Sequence, residues 1–222
     1  MNKMKLSNNT LAILSNFSTI NSNIYVRTGN VLRTISNSND LSARATISET
    51  FDTEFAIYDL PQFLKGLKLY ENPELEFPPG EGYALIKQGN HTIKYFLTEP
   101  ELVKAPENRN IVLPSKDVCF EMSKEHLDKL MRATSVFGLS DFTVLGQNGE
   151  ITLQVRNKVN PTSNQVSILV GQTDKEFELN FDKNNLLMIE GSYDVVISKE
   201  MIAEFTNQDF ELTYFVGLTS DS

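Results

Sequence analysis

Residues 6–14 read LSNNTLAIL, and residues 122–130 repeat the same pattern as MSKEHLDKL. In both stretches a serine is followed four and seven residues later by leucine, which places the leucines on one face of a helix. A serine hydroxyl just before such a face can accept a hydrogen bond from a first-turn amide and so begin the helix. The sequence therefore predicts one N-capped amphipathic helix in each half of the chain, begun by Ser7 and by Ser123.

The segments that follow these helices also repeat each other. Apolar and polar residues alternate with the period of β-strands, and turn residues such as Gly29-Asn30 separate the runs. Four strands, a short helix capped by Asp59 or Asp182, and three further strands are predicted in each half. A local match between EFAI at residues 54–57 and EFEL at residues 176–179 supports a duplication.

Periodicity is lost between the two halves, where Pro100, Pro106 and Pro114 occur at intervals. This composition is typical of an interdomain linker. We expect the α+β class, with two similar domains that each pack two helices on antiparallel sheets. The predicted ranges are 1–103 for the first domain, 104–116 for the linker and 117–222 for the second domain.

Composition and charge limit the possible functions. The chain has 222 residues, of which 40% are hydrophobic and 22% charged, as in ordinary globular proteins. Its formal net charge of −9 argues against a simple nucleic-acid coat protein or a binder of anionic membranes, because both need an excess of Lys and Arg. The single cysteine excludes an intramolecular disulfide and a cysteine-based zinc cage. Because we find no run of about eighteen apolar residues and no secretory signal, we expect a protein of a reducing cytosol.

Residues suited to catalysis are sparse. His91 is predicted in a hairpin turn and His126 in a helix, and neither has a cysteine or histidine at metal-ligand spacing. Cys119 lies beside Phe120 in a predicted strand, and we interpret it as a core residue rather than a nucleophile. No catalytic residue, metal site or cofactor is therefore predicted, and we expect a protein that is not an enzyme.

Four further strings are informative, namely NFSTINSNI at residues 16–24, MKLS at residues 4–7, AIYDL at residues 56–60 and NKV at residues 157–159. They resemble the sliding clamps of T4-like bacteriophages, which are the processivity factors of DNA polymerases, and NFSTINSNI is the most specific of them. Clamps of this family are head-to-tail trimers of two-domain subunits that close into a ring around duplex DNA, with helices lining the hole. The resemblance implies that the predicted helices of this chain face DNA.

This resemblance gives the basic residues a role. Taken alone, they fit the solvated faces of amphipathic helices. In a clamp they would face the phosphates, while the acidic surplus would lie on the outer sheets. The first helix departs from the family, because it offers residues such as Asn8, Asn9 and Asn16 where phage clamps commonly carry lysines. The predicted DNA-facing residues are Lys5, Lys65, Lys68, Lys124, Lys129, Arg132 and Lys183.

The same resemblance implies partners. A closed ring must be opened, and we find no nucleotide-binding motif in the chain, so an external clamp-loader ATPase is implied. A replicative DNA polymerase would dock a short apolar tail near the linker, and late-transcription factors are further partners of the family. Residues 92–97 of one subunit would pair with residues 165–171 of the next. The residues expected to line the tail-binding pocket are Leu102, Val103, Ile111, Val112, Leu113, Phe215 and Val216.

Three hypotheses stay open at this point. The first is a sliding clamp in the cytoplasm of an infected bacterial host, a homotrimer on double-stranded DNA that needs no cofactor and no membrane. The second is a phage structural or assembly protein built of duplicated sheet domains. The third is a metal-dependent nuclease that uses Glu71, Glu74 and Glu76, although Pro73 and the alternating pattern favour a loop and a strand edge there.

Overall fold

A computed structural model describes residues 3–160 and 162–219 of the chain. The chain divides into two compact units, the first ending at Asn108 and the second beginning at Arg109. This boundary lies inside the segment that the sequence predicts as a linker. Along the described residues, no helix is both long enough and apolar enough to cross a membrane.

Within residues 3–108, the first unit combines two α-helices with antiparallel strands. Its elements are β1 (Lys3–Met4), α1 (Asn8–Ile20), β2 (Ile24–Val26), β3 (Gly29–Ile35), β4 (Leu41–Phe51), β5 (Phe55–Ile57), α2 (Leu60–Leu67), β6 (Glu74–Glu76), β7 (Tyr83–Gln88) and β8 (His91–Phe96). Strands β1, β6, β7 and β8 form one sheet in that order, while β3 pairs with β4 and β2 with β5. Helix α1 packs on β3, β4 and α2.

Across residues 109–160 and 162–219, the second unit has one α-helix and two sheets. Its elements are β9 (Val118–Met122), α3 (Lys124–Phe137), β10 (Asp141–Gln147), β11 (Glu150–Arg156), β12 (Val166–Gln172), β13 (Phe177–Asp182), β14 (Tyr193–Ser198), β15 (Ile202–Asn207) and β16 (Leu212–Gly217). One sheet has the order β12-β11-β10-β13, and β16, β15, β14 and β9 are neighbours in the other. Helix α3 packs on β11 and β12.

The three α-helices begin at the residues predicted to cap them. In the described chain, the hydroxyls of Ser7 and Ser123 each accept a hydrogen bond at 3.2 Å from the amide three residues further on. The carboxylate of Asp59 accepts the equivalent bond at 2.8 Å. Each bond satisfies an amide that the helix itself leaves without an acceptor. The predicted starts of these helices are therefore confirmed.

The prediction of a fourth helix is wrong. Asp182 does cap a turn, but that turn is a 3-10 helix of three residues, Lys183–Asn185. Asparagine favours local hydrogen bonds over continued helix, which explains the early stop. Further on, two tyrosine hydroxyls form hydrogen bonds with the backbone amide and carbonyl of Ile189, which a helix would use for its own hydrogen bonds. The amide of Ile189 donates to the hydroxyl of Tyr214 at 3.0 Å, and the hydroxyl of Tyr193 donates to its carbonyl.

Three smaller expectations also need correction. Cys119 is exposed rather than part of the core, because alternation in β9 turns Val118 and Met122 inward and Cys119 outward. His91 begins strand β8 instead of lying in the turn before it. Strand β1, at Lys3–Met4, was not expected, since two residues are too few to give a periodic pattern.

Candidate nucleic-acid interface

The two lysines of α2 lie on the solvent side of the helix, away from its buried apolar residues. Its apolar residues from Leu60 to Leu67 are buried, whereas Lys65 and Lys68 are exposed. Neither lysine forms an ion pair with any residue that the structure describes. Both lie at the C-terminal end of the helix, where the helix dipole favours positive charge. These two amines therefore offer their full charge to an anionic ligand.

Most of the positive charge of α3 is neutralised by carboxylates. The Nζ of Lys124 lies 2.5 Å from Glu190 Oε2 and 3.3 Å from Asp128 Oδ2, and the Nζ of Lys129 lies 2.7 Å from Glu125 Oε1. The hydrogen bond to Glu190, with a smaller contribution from Asp128, raises the pKa of Lys124 above its ordinary value. Hydrogen bonding to Lys129 lowers the pKa of Glu125. Neighbouring carboxylates therefore already balance the charge of both lysines.

Arg132 differs from these lysines. It is exposed, and it forms no ion pair within residues 3–160 and 162–219. It lines a shallow groove with Met131, Ser135 and Val136 on the solvent side of α3. Among the predicted cations of this helix, Arg132 therefore has the charge most available to a ligand.

Helix α1 presents a polar surface without charge between Asn8 and Ile20. Two hydroxyls of this helix are used within it: Ser18 donates to the carbonyl of Ser15 and Thr19 to that of Asn16, each at 2.7 Å. The absence of lysines noted in the sequence is thus not compensated by another cation within the helix. A ligand that approaches α1 meets amides and hydroxyls.

A carboxylate that sequence reasoning missed occupies the N-terminal end of α1. Glu49 accepts hydrogen bonds from the hydroxyl of Thr10 at 2.5 Å, from the amide of Ser7, and from the hydroxyl of Ser48 at 3.0 Å. Burial works to raise the pKa of Glu49, but these hydrogen bonds outweigh it and hold the pKa below its ordinary value. Glu49 lies 42 residues from Ser7, so no local pattern could have revealed the contact.

The two remaining residues predicted to face DNA, Lys5 and Lys183, differ in their exposure and their contacts. Lys5 is exposed just before α1 and forms no ion pair in the described part of the chain. Lys183 is half-buried, and its Nζ donates to the carbonyl of Leu139 at 2.9 Å. Lys183 therefore anchors the segment that follows α3, and it is not on the α-helix that the sequence predicted for it.

Two of the glutamates considered for a nuclease, Glu74 and Glu76, form ion pairs with lysines of neighbouring strands. The side chain of Glu76 is 1% exposed, and it lies 2.6 Å from Lys87 Nζ and 3.5 Å from Lys3 Nζ. The hydrogen bond from Lys87 holds the pKa of Glu76 below its ordinary value against the effect of burial. Glu74 lies 3.3 Å from the same Lys3. Among the described residues, no group of three or more His, Cys, Asp or Glu is arranged to hold a metal ion.

Both strands expected to join subunits are edge strands. Within the described residues, β8 pairs only with β7 and β12 only with β11. Phe96 at the end of β8 is 71% exposed, and Leu169 in β12 is 56% exposed. An open edge with exposed apolar side chains invites pairing with another chain unless something covers it.

The residues predicted for a polymerase-tail pocket differ in exposure. Phe215 and Val216 are buried in β16, so they belong to the core and offer no accessible wall. Val112 is 81% exposed and belongs to no helix or strand. The pocket stays a prediction for the others, which are exposed or half-buried: Leu102, Val103, Ile111 and Leu113.

The sequence is similar to known proteins over almost its full length. A family model for the DNA polymerase processivity factor matches residues 5–77, and one for the C-terminal part of the gp45 sliding clamp matches residues 119–220. The sliding clamp of Vibrio phage KVP40 is 31% identical over 96% of this chain and 98% of its own. That of Enterobacteria phage T4 is 32% identical over 99% of this chain and 98% of its own.

The fold is similar to that of solved clamps. The structure of A. fulgidus PCNA bound to the C-terminal region of FEN-1 gives a TM-score of 0.73 at 13% identity and covers 100% of both chains. PCNA from Thermococcus kodakaraensis gives a TM-score of 0.72 at 13% identity, over 98% of this chain and 99% of that one. At these identities the likeness concerns the fold alone, and the predicted clamp fold is confirmed.

Proposed function

Because this chain belongs to the sliding-clamp family of DNA polymerase processivity factors, we propose that three copies close into a ring around duplex DNA and tether the viral replicative polymerase to it. The observation that carries the proposal is the placement of available charge. In a chain of net charge −9, Lys65, Lys68 and Arg132 present cations on the solvent faces of amphipathic helices and form no ion pair within the described residues. The similarity to sliding clamps over nearly the whole chain favours this function over that of a phage assembly protein.

Weak contacts suit a ring that slides. At cellular ionic strength the Debye length is about 8 Å, so a few lysines and arginines attract the phosphates across water without fixing a register. Phosphate contacts carry no sequence information. The uncharged face of α1 adds no further attraction. The ring is then held on DNA by its closed topology, and low friction lets it follow the polymerase.

The open edges of β8 and β12 support a head-to-tail trimer. Pairing β8 of one copy with β12 of the next would satisfy both edges and cover Phe96 and Leu169. Light scattering should give a mass near three times 25.1 kDa. A strict monomer at high micromolar concentration would contradict the proposal.

The proposed function includes several partners. An external clamp-loader ATPase would open the ring, and the polymerase would dock a short apolar tail close to Leu102 and Val112, which are both exposed. Late-transcription factors would use the same ring, as a mobile tether on DNA. All of this takes place in the cytoplasm of the infected bacterial host, and the chain itself tethers its partners without catalysing a reaction.

Loading on circular DNA tests the proposal. With a loader and ATP, the native protein should remain on a nicked circle and be lost when the circle is cut, because an open end releases a ring. Combined charge reversal, Lys65→Glu, Lys68→Glu and Arg132→Glu, should lower loading while the trimer persists. Lys175→Glu is the control, since Lys175 is exposed but lies outside the helices. Retention on cut DNA without end blocks would indicate ordinary surface binding instead.

A further inference from the structure

An apolar cleft of about 230 Å³ lies in the first unit, between the beginning of α1 and the end of α2. Its walls include leucines from three elements, namely Leu11 of α1, Leu67 of α2 and Leu75 of β6. Leu67 and Leu75 are buried, whereas Leu11 is half-buried and open to the cleft. A cleft of this size with leucine walls can hold an apolar side chain of a ligand and remove it from water.

Two opposite charges line the cleft without pairing with each other. Lys68 and Glu71 are both exposed, and neither side chain forms an ion pair or a hydrogen bond within residues 3–160 and 162–219. The backbone of Glu71 is nevertheless held in place, because its amide donates to Oε1 of Gln88 at 3.2 Å. The cleft therefore presents one available ammonium group and one available carboxylate beside an apolar interior.

Apolar surface continues beside the cleft. Leu69, which follows the lining residue Lys68 in the chain, is 73% exposed. An exposed leucine next to a leucine-lined cleft offers contacts to a ligand that is larger than one side chain. This extent favours a segment of a partner protein over a small molecule.

The cleft lies near the start of β8, whereas the chain leaves the end of β8 towards the linker. The ring of Tyr70, another lining residue, is 6.2 Å from the ring of His91, the first residue of β8. Phe96 ends the strand, and the two ends are about 17 Å apart, since an antiparallel strand rises about 3.4 Å per residue. The cleft and the start of the linker are therefore associated with opposite ends of β8.

We propose that this cleft binds a segment of a partner protein in which an apolar side chain lies between an acidic and a basic residue. The apolar side chain enters the leucine-lined interior, the acidic residue pairs with Lys68, and the basic residue pairs with Glu71. DNA fits the cleft less well, because Glu71 repels phosphates and the leucines offer them no hydrogen-bond donor. All these residues belong to one unit of one chain, so the proposal does not depend on the closed ring.

Fluorescence anisotropy on the full-length protein tests the apolar contact. The probe is a short fluorescein-labelled peptide that contains glutamate, leucine and lysine, made in both orders of the charged residues, and the matched probe has alanine in place of leucine. The leucine peptide should bind about tenfold more tightly, because a buried leucine side chain contributes at least this much. Leu11→Trp fills the cleft and should remove this preference, whereas the control Ser15→Trp, one turn further along α1 and outside the cleft, should bind like the native chain. Equal binding of the leucine and alanine peptides by the native chain would overturn the proposal.

The charged contacts are tested by exposed side chains, so these variants should fold even if Leu11→Trp does not. Glu71→Gln should weaken binding of the peptide about threefold, and this effect should vanish when the lysine of the peptide is replaced by glutamine. Lys68→Gln should have the same relation to the glutamate of the peptide. The controls are Glu81→Gln and Lys65→Gln, since both residues are exposed and neither lines the cleft. Equal binding of the peptide by Glu71→Gln and by the native chain would also overturn the proposal.

Measurements with DNA separate this proposal from the proposed clamp function. A labelled DNA duplex whose binding falls in Leu11→Trp as much as that of the peptide would show that the cleft serves DNA, and would overturn the proposal. Lys65→Gln should load less well on circular DNA and yet bind the peptide like the native chain. A native chain that binds the peptide but is not retained on circular DNA contradicts the proposed clamp and supports the proposed cleft.

Discussion

Releasing Lys124 from its carboxylates should make the proposed ring slide more slowly on DNA. The structure places Lys124 Nζ 2.5 Å from Glu190 and 3.3 Å from Asp128, so two carboxylates compete with any phosphate for this amine. Glu190→Gln keeps the size of the side chain and removes its charge. Glu190→Gln combined with Asp128→Asn removes both competitors and frees the amine.

The number of charged residues on and beside α3 determines how much the salt dependence of DNA binding should change. On and beside α3, three cations face three carboxylates, namely Lys124, Lys129 and Arg132 against Glu125, Asp128 and Glu190, so their charges cancel. Each variant charge is repeated in every subunit of a trimer. A lysine that contacts one phosphate adds about 0.9 to the slope of log affinity against log salt, so three freed lysines add at most about 2.7. Glu190→Gln alone should give less than this, because Asp128 remains.

The assay measures how fast rings leave a linear duplex with open ends at a series of salt concentrations. Release of the double variant should be slower than native at low salt and should converge with native at high salt, since screening removes the added attraction. Glu150→Gln is the charge-matched control for Glu190→Gln alone, because Glu150 is exposed and forms no ion pair within the described residues. An unchanged salt slope in the double variant, or an equal change in the control, would refute the assignment of Lys124 to the DNA-facing surface.

Two further predictions concern stability. Ser123→Ala should lower the free energy of unfolding by about 1 kcal/mol in a urea titration, because it removes the cap of α3, whereas the control Ser135→Ala on the exposed face should change it by less than half as much. Burial raises the pKa of Tyr193 to about 12, so the folded state holds its proton longer than the unfolded chain does. Stability should therefore be unaffected by this group below pH 10 and fall by up to about 3 kcal/mol as the pH rises towards 12; Tyr193→Phe should flatten that fall, and an equally steep fall in the variant would contradict the assignment.

Local rules were sufficient to predict where α1, α2 and α3 begin. Capping depends on residues within one turn, so Ser7, Asp59 and Ser123 can be read directly from the sequence. The same local reasoning predicted a helix after Asp182, where the tyrosines that bind Ile189 come from β14 and β16. Besides the local preference of asparagine, the hydroxyl of Tyr214, 25 residues away in the chain, accepts from the amide of Ile189, and a local pattern contains no information about that contact.

The candidate site was harder to predict than the fold, because the charge of a residue depends on its partners in space. Lys124 and Lys68 are both exposed lysines of amphipathic helices, yet Lys124 is paired with Glu190, which lies 66 residues away in the chain.

These ion pairs and hydrogen bonds determine which residues of the ring would attract DNA. If every predicted cation were available, attraction would be spread over both units, from Lys5 and α2 in the first to α3 and Lys183 in the second. Instead, Lys124 and Lys129 are offset by carboxylates, Lys183 is bound to the carbonyl of Leu139, and α1 is uncharged. Attraction is then concentrated on α2, at Arg132 and at Lys5. A few separated points of attraction, repeated around a closed ring, allow DNA to shift from one contact to the next without breaking many at once, which is the condition for a tether that holds by topology and moves with little friction.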